Sequence, residues 1–247
     1  MQNKDKYLSV VVPAYNEEQR IEKTLLAIND YLIRQPYSWE ILVVSDGSRD
    51  QTVAKVSSLD AKIKNLRLIA REKNKGKGYT VREGMLASHG RIRLFTDADN
   101  STDISHFEKM RPLFDRGYDV VICSRDSKDV EGASQAVSQV WYKRVLGNLG
   151  NLFFQLLAVR GIWDTQCGFK AFRDYAATAI FSKTRIDRWA FDVEALALAR
   201  ALTMKIGIVA AYWINDPKSH VSFASYLNTL WETVKIWWWI RKGAYNL

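Results

Sequence analysis

The chain has 247 residues, of which 47% are hydrophobic and 26% are charged. This composition is that of a globular protein and excludes a disordered or fibrous chain. A net charge of +9 favours anionic partners such as nucleotides or a phospholipid surface. The two cysteines, Cys123 and Cys167, lie apart from any Cys/His cluster, so neither a zinc site nor a disulfide framework is expected.

Strands and helices alternate along the first half of the chain. Apolar runs predict strands at 7–12, 39–44, 66–70, 91–95 and 119–123. Segments with apolar residues at helical spacing lie between them, and Asn16 is a candidate cap for the first helix. Such alternation with short connections predicts an α/β protein with a mostly parallel, doubly wound sheet and helices on both faces.

The second half is less regular. We expect a loop at 124–138, a helix at 140–159, a turn and strand within 161–172, a helix from 188 to 202 and a last strand at 206–213. A C-terminal amphipathic helix is expected at 222–243, with Trp237, Trp238 and Trp239 in succession. Tryptophan beside Arg241 and Lys242 suits a membrane headgroup region, but a helix that packs its apolar stripe on the domain explains the pattern equally well.

Two carboxylates follow the fourth predicted strand directly. Asp97 and Asp99 are two residues apart, so an extended backbone points both side chains the same way. Two converging carboxylates can hold a hard cation such as Mg²⁺ or Mn²⁺. The alternative is that they cap a helix that begins near Ser105. Further polar loops at 13–17, 45–48 and 124–125 also follow strands, and ligands bind at the carboxyl ends of such strands.

Familiar phosphate-binding motifs are incomplete. Gly76 and Gly78 begin a GxGxxG motif, but Val81 occupies its last position, and no GxxxxGK[ST] sequence occurs. These departures argue against a P-loop ATPase and a dinucleotide oxidoreductase. Lysines at 73, 75 and 77 can approach a diphosphate, or they can form a solvated basic loop.

Several motifs together resemble those of one enzyme family. In order, they are Val12–Glu18, Val44–Asp50, Asn74–Gly78, Thr96–Asp99, Asp164–Lys170 and Arg188–Glu194. The first four resemble family 2 glycosyltransferases of the GT-A fold. The last two resemble the dolichyl-phosphate β-glucosyltransferase branch, with dolichyl-phosphate mannose synthases as near relatives.

The resemblance implies an inverting, metal-dependent transferase. Its donor would be UDP-glucose, its acceptor a polyprenyl or dolichyl phosphate, and its cofactor Mg²⁺ or Mn²⁺. No membrane helix is visible, so we expect a cytoplasmic protein at the cytoplasmic membrane face, held by a peripheral surface or by a membrane partner protein. Alternatives are mannosyl transfer from GDP-mannose, a soluble acceptor, and a nucleotide-sugar sensor without turnover. A nucleic-acid partner is not expected, because the basic residues are dispersed.

The resemblance also implies roles for individual residues. Pro13, Tyr15, Glu17 and Asp46 would contact the base or ribose, and Lys77 would lie near the diphosphate. Asp97 and Asp99 would hold the metal. Arg125, together with Lys170 or Arg188, would face the acceptor phosphate. Asp192 is a candidate for the acceptor side, although the helix dipole also explains an acid at that position.

The same resemblance suggests how the chain is divided. We expect one domain over 1–247, with a nucleotide-sugar-binding half at 7–123, an acceptor-binding half at 124–215 and the Trp-rich helix at 222–243. Two departures reduce the polar groups of the site: Ser45 replaces an aspartate that many relatives have, and Ser101 replaces the metal-binding glutamine of mannose synthases.

Overall fold

A computed structural model describes residues 6–135, 150–213 and 223–247. Its strands are β1 (Lys6–Ala14), β2 (Trp39–Asp46), β3 (Leu66–Arg71), β4 (Gly90–Thr96), β5 (Val120–Ser124), β6 (Ser134–Gln135), β7 (Phe169–Arg173), β8 (Ile206–Ala210) and β9 (Tyr212–Trp213). Its helices are α1 (Ile21–Leu32), α2 (Thr52–Ser58), α3 (Lys77–Ala87), α4 (Phe107–Asp115), α5 (residues 150–157), α6 (Asp174–Phe181), α7 (Phe191–Ala201) and α8 (Phe223–Arg241).

A seven-stranded sheet has the order β3-β2-β1-β4-β7-β5-β8. All neighbouring strands are parallel except at β7, which runs antiparallel to β4 and β5. The predicted mostly parallel sheet is therefore confirmed. Because β7 comes from the second half of the chain and lies between two strands of the first half, both halves contribute to one sheet.

Helices cover both faces of the sheet, as expected. In β1, Val10 and Val12 belong to a core cluster shared with α1, α2 and α4. Val11 belongs to a second cluster shared with α3, α6, α7 and α8. Alternate residues of one strand point to opposite faces, so a strand covered on both sides must be apolar throughout. This explains why β1 and β2 read as unbroken apolar runs.

Two local features differ from the expectations. Asn16 does not cap the first helix, because it adopts a left-handed φ of 55° and its side chain accepts a hydrogen bond from the backbone N–H of Arg49. The helix begins five residues later, at Ile21. Helix α6 was not predicted at all.

Some expectations fall partly outside the described residues. The predicted helix at 140–159 is described only from residue 150, the loop at 124–138 only to 135, and the C-terminal helix from 223. Within the described ranges, every helix falls short of the length and apolarity that crossing a bilayer requires.

Candidate active site

The loops that follow β1 and β2 are joined by hydrogen bonds. The backbone N–H of Asn16 donates to Ser48 Oγ at 3.1 Å, and that of Glu17 donates to Thr52 Oγ1 at 2.7 Å. Burial raises the pKa of Glu17, Arg20 opposes this rise, and the charges of Asp99 and Asp97 add to it. The loop after β1 therefore lies close to the two carboxylates that follow β4.

Asp97 is positioned by two other parts of the chain. Its backbone N–H donates to the carbonyl of Gly168 at 3.2 Å. Its carboxylate lies so close to Gly168 that a Cβ atom there would be 1.9 Å from Oδ2. On the other side, Lys77 Nζ lies 2.6 Å from Asp97 Oδ1. The glycine before β7 and the lysine at the start of α3 thus fix this carboxylate.

Asp99 lies in the turn after β4. Its Oδ1 accepts a hydrogen bond from the backbone N–H of Ser101 at 2.9 Å, across Asn100 with a left-handed φ of 55°. A different residue, Asp103, caps the short helical turn Ile104–His106 by accepting from Ser105 N at 2.8 Å. The alternative that Asp97 and Asp99 cap this helix is therefore wrong.

The residues present fit a hard divalent cation. Asp97 and Asp99 are both partly exposed carboxylates, and one Asp99 oxygen makes no hydrogen bond with the described residues. The buried hydroxyl of Ser101 also lacks a hydrogen-bond partner there. Within the described ranges no group of three or more His, Cys, Asp or Glu side chains could hold a metal. Such an ion would therefore take its remaining ligands from water and from a bound diphosphate.

Asp46 holds the loop that leads to α3. This carboxylate is 3% exposed. It accepts hydrogen bonds from the backbone N–H groups of Lys75 and Gly76, both at 2.8 Å, and forms an ion pair with Arg71 at 2.5 Å. Both of its oxygens thus have protein partners. Its expected contact with the base or ribose stays a prediction.

Lys77 is the charged group that α3 presents to the site. Burial alone would lower its pKa, but Asp97, Asp192 and Asp99 outweigh that effect and raise it. The backbone N–H groups of Gly78 and Tyr79 already donate to the carbonyls of Arg188 and Asp187, both at 3.1 Å. The lysine side chain, which pairs with Asp97, is therefore the group of α3 that can contact a diphosphate, rather than these backbone N–H groups.

Lys170 and Asp192 form a buried ion pair. Lys170 is 0% exposed, and its Nζ donates to Asp192 Oδ1 at 2.5 Å and to the carbonyl of Cys167 at 2.6 Å. Burial raises the pKa of Asp192, although Lys170 and Lys77 act to lower it. Lys170 therefore faces the interior in this structure and does not face an acceptor phosphate as expected. Nothing in the sequence indicated that the lysine of this apolar strand would be buried.

Arg125 is held by a residue that the sequence analysis did not single out. Asp164 accepts hydrogen bonds from Arg125 Nε at 2.7 Å and from Nη2 and the backbone N–H at 2.8 Å. The guanidinium lies 5.1 Å from the ring centre of Trp213. Burial would lower the pKa of Arg125, but Asp164 raises it. In the sequence, the only indication that Asp164 belongs to the site was its place at the start of the motif at residues 164–170.

The remaining predicted residues lie around this site. Pro13 is buried in β1 beside Val44 of β2, whereas the Tyr15 side chain is 46% exposed. Arg188 is exposed, and its backbone carbonyl contacts Gly78 as described above. The structure thus brings Glu17, Lys77 and the two aspartates together, with Arg125 and Arg188 in adjoining loops.

Comparison with known proteins decides the family. A family model described as Glycosyl transferase family 2 matches residues 9–180, from β1 into α6. The chain belongs to this family. It is therefore a glycosyltransferase, and the resemblance drawn from the motifs is confirmed.

Curated relatives match over most of the chain. The dolichyl-phosphate β-glucosyltransferase of Dictyostelium discoideum is 35% identical over 93% of this chain and 73% of its own length. The human protein of the same name is 34% identical over 96% of this chain and 73% of its own length. The Saccharomyces cerevisiae protein of that name is also 34% identical, over 88% of this chain and 70% of its own.

Solved structures support the fold. Glucosyl-3-phosphoglycerate synthase from Mycobacterium tuberculosis, crystallised with Mn²⁺, UDP and phosphoglyceric acid, matches with a TM-score of 0.67 and 17% identity. The match covers 94% of this chain and 77% of that one. The GT-A fold of this glycosyltransferase is thereby confirmed.

Proposed function

We propose that this glycosyltransferase moves glucose from UDP-glucose to a dolichyl or other polyprenyl phosphate, with inversion at the anomeric carbon. The observation that carries the proposal is the group formed by Lys77, Asp97 and Asp99 at the carboxyl edge of the sheet. The named activity of relatives about one third identical to this chain supports the same donor sugar and acceptor class.

On the donor side, Asp97 and Asp99 would hold a divalent metal, and Lys77, which pairs with Asp97, would contact the diphosphate. When bound, Mg²⁺ or Mn²⁺ neutralises charge that develops on the departing nucleoside diphosphate. Lys77 adds a fixed positive charge at the same place, since neighbouring carboxylates keep it protonated. The exposed Tyr15 and the partly buried Glu17 lie in the loop after β1, where a base or ribose could contact them.

In the reaction, an acceptor phosphate oxygen bonds to the anomeric carbon while the bond from that carbon to UDP breaks. UDP leaves with the electron pair of the broken bond. A phosphate monoester has a second pKa of about 6, so the attacking oxygen is largely ionised at neutral pH. No residue of this chain is required to remove a proton.

On the acceptor side, the exposed Arg188 and the partly exposed Arg125 supply positive charge for the phosphate. Lys170 and Asp192 act behind them. Their ion pair fixes the carbonyl of Cys167, and Gly168 next to it supports Asp97. We therefore assign Lys170 and Asp192 a positioning role.

The division of the chain and its location follow from this assignment. Residues 7–123 bind the nucleotide sugar, residues 124–215 bind the acceptor, and helix α8 completes a single domain. Because the acceptor lipid resides in a bilayer, the protein acts peripherally at a cytoplasmic membrane face, by itself or with a membrane partner protein.

A panel of donors tests this proposal. Purified protein is incubated with a polyprenyl phosphate in detergent and with radiolabelled UDP-glucose, UDP-N-acetylglucosamine or GDP-mannose, each with Mg²⁺, Mn²⁺ or a chelator. We expect label in the organic extract only with UDP-glucose and a metal. Labelling from GDP-mannose alone would instead assign mannosyl transfer. Donor binding without transfer to any acceptor would assign a sensor.

A further inference from the structure

Helix α8 exposes large apolar side chains on its outer side although it also packs apolar residues on the domain. Leu227, Trp231 and Trp238 are 50%, 60% and 51% exposed. The side facing the domain buries Ile236, Thr229 and Thr233, which are 0%, 3% and 0% exposed, and packs Leu230, Trp239 and Ile240 against the second core cluster. A helix that only packs on a soluble domain has charged and polar residues on its outer side, so the exposed leucine and tryptophans need another explanation.

The buried threonines need no partner outside their own helix. Thr229 Oγ1 donates to the carbonyl of Ser225 and Thr233 Oγ1 to that of Thr229, both at 2.8 Å. Their hydroxyls are thus satisfied within the helix, and small side chains let it lie close to the domain. The Thr229 and Thr233 hydroxyls therefore need no water, and they do not explain why the helix exposes Trp231 and Trp238.

The exposed side of α8 is also basic. Four of its positions, spaced three or four residues apart, are Leu227, Trp231, Lys235 and Trp238, and the exposed Lys242 directly follows the helix; we call these five residues the Trp face. Lys235 Nζ lies 5.8 Å from the ring centre of Trp231. The single acid of the helix, Glu232, accepts a hydrogen bond from the backbone N–H of Ala190 at 3.0 Å. Positive charge beside the indole rings is therefore not balanced by acids of the same helix.

Helix α8, which carries the Trp face, is connected to the active site by a hydrogen bond. Ala190, which donates to Glu232, is two residues from Arg188 in the loop that contacts the start of α3. At its other end, α8 approaches α5, where a Cβ atom on Gly150 would lie 2.4 Å from the Tyr226 hydroxyl oxygen. Helix α5 exposes its own leucine at position 156, which is 75% exposed.

We propose that the Trp face is a docking surface for an anionic phospholipid bilayer. Indole rings have an apolar body and one polar edge, so they favour the headgroup region, and lysines beside them attract anionic headgroups. This inference rests on the proposed function, because a lipid phosphate acceptor must be reached from its membrane. Docking through α8 brings the loop of Arg188 close to the membrane surface.

Vesicle sedimentation of the full chain tests the surface. The probes are protein-free vesicles of phosphatidylcholine alone and of equal parts phosphatidylcholine and phosphatidylserine. We expect the wild type to sediment with the anionic vesicles. The double variant Trp231→Ser, Trp238→Ser should partition at least about tenfold more weakly. The double variant Lys235→Gln, Lys242→Gln should lose about tenfold on anionic vesicles only.

Matched controls alter exposed residues elsewhere. Ile33→Ser, at the end of α1, removes an apolar side chain that is 61% exposed. The double variant Lys62→Gln, Lys64→Gln removes two exposed charges between α2 and β3. Both controls should sediment like the wild type. Circular dichroism checks that each variant is folded.

Transfer to a short, water-soluble prenyl phosphate separates the two proposals. The Trp variant should keep wild-type turnover with this acceptor, since the Trp face touches neither donor nor metal. Vesicle binding without glucosylation of any prenyl phosphate would refute the proposed function and leave the surface standing. Equal sedimentation of the wild type and the Trp variant would overturn the surface. Binding to native membranes but not to protein-free vesicles would also overturn it, in favour of a protein partner.

Discussion

Gly168 shows how a residue without a side chain sets the position of a carboxylate. It is the residue before β7, and the Asp97 carboxylate occupies the space that a Cβ atom would fill. Its carbonyl also accepts the Asp97 backbone N–H. The sequence placed Gly168 in a family motif but gave no reason for it, because the reason is a contact between residues 71 positions apart.

We expect Gly168→Ala to weaken binding of Mn²⁺ and UDP by at least about tenfold, because the added carbon displaces Asp97. Isothermal titration calorimetry measures this binding. Gly117→Ala is the matched control, because nothing lies within 4 Å of the added Cβ atom. Its backbone φ of +83° is one that alanine adopts only with strain. It should cost about 1 to 2 kcal/mol of stability and leave metal binding unchanged. Wild-type affinity in Gly168→Ala would contradict the proposed metal site.

The lowered pKa of Asp164 predicts that the free energy of unfolding decreases in acid. Burial would raise its pKa, but Arg125 outweighs burial and holds the pKa below its ordinary value of 3.8. A carboxylate whose pKa is lower in the folded state stabilises the fold above its unfolded pKa, and this contribution is lost as the pH falls through the lowered folded value.

We therefore expect Asp164→Asn to be less stable than the wild type at neutral pH, by about 1 to 3 kcal/mol. The difference should narrow below about pH 4. Urea unfolding from pH 7 to pH 3 measures it. Asp115→Asn, at the exposed end of α4, is the control and should track the wild type throughout. A difference that stays constant down to pH 3 would exclude the Arg125 pair as the source of the stabilisation.

At the scale of elements, the C-terminal end of the chain supports the loop at 183–188. Lys183 Nζ donates to the carbonyls of Tyr245 and Asn246, and the Tyr245 hydroxyl donates to Glu194 Oε1 at 2.7 Å. Glu194 also accepts the backbone N–H groups of Arg185 and Ile186. Because the same loop contacts the start of α3, these bonds help to fix the position of Lys77.

Tyr245→Phe should lower the free energy of unfolding by about 1 to 3 kcal/mol, since it leaves a buried carboxylate with fewer donors. Burial already raises the pKa of Glu194, and the Tyr245 hydroxyl acts to lower it. Tyr175→Phe is the matched control. Its hydroxyl bonds Asp119, but the side chain is 54% exposed, so the cost should stay within about 0.5 kcal/mol. Equal costs for both variants, measured by urea unfolding, would show that the bond to Glu194 is unimportant.

The elements differ in how well the sequence revealed them. The strands β1, β2 and β5 were predictable because apolar runs between polar loops have few alternatives. Helix α6 has apolar residues at helical spacing, Ala176, Ala177, Ile180 and Phe181, but it directly follows β7, and no loop between the two elements marks its start. The start of α1 was misplaced because Asn16 bonds the neighbouring loop instead of the helix, which depends on tertiary structure.

For the whole molecule, the order of motifs predicted the family, and the alternation of strands and helices predicted the parallel part of the sheet. The insertion of β7 between β4 and β5 was not predicted, because strand order depends on contacts between distant residues. That insertion is what places Gly168 beside Asp97 and buries Lys170. The pair of aspartates was visible in the sequence, whereas the groups that support it come from β7 and α3.

The proposed metal site is tested most directly by measuring how well Asp99→Asn transfers glucose from UDP-glucose to a polyprenyl phosphate in the presence of Mg²⁺ or Mn²⁺. We expect at least about a hundredfold loss of turnover, with an unchanged melting temperature, because the variant weakens the metal site without altering the fold. Asp103→Asn is the matched control: asparagine also caps a helical turn, so this variant should keep wild-type turnover. Wild-type turnover by Asp99→Asn would contradict the proposal that Asp97 and Asp99 hold a metal required for transfer.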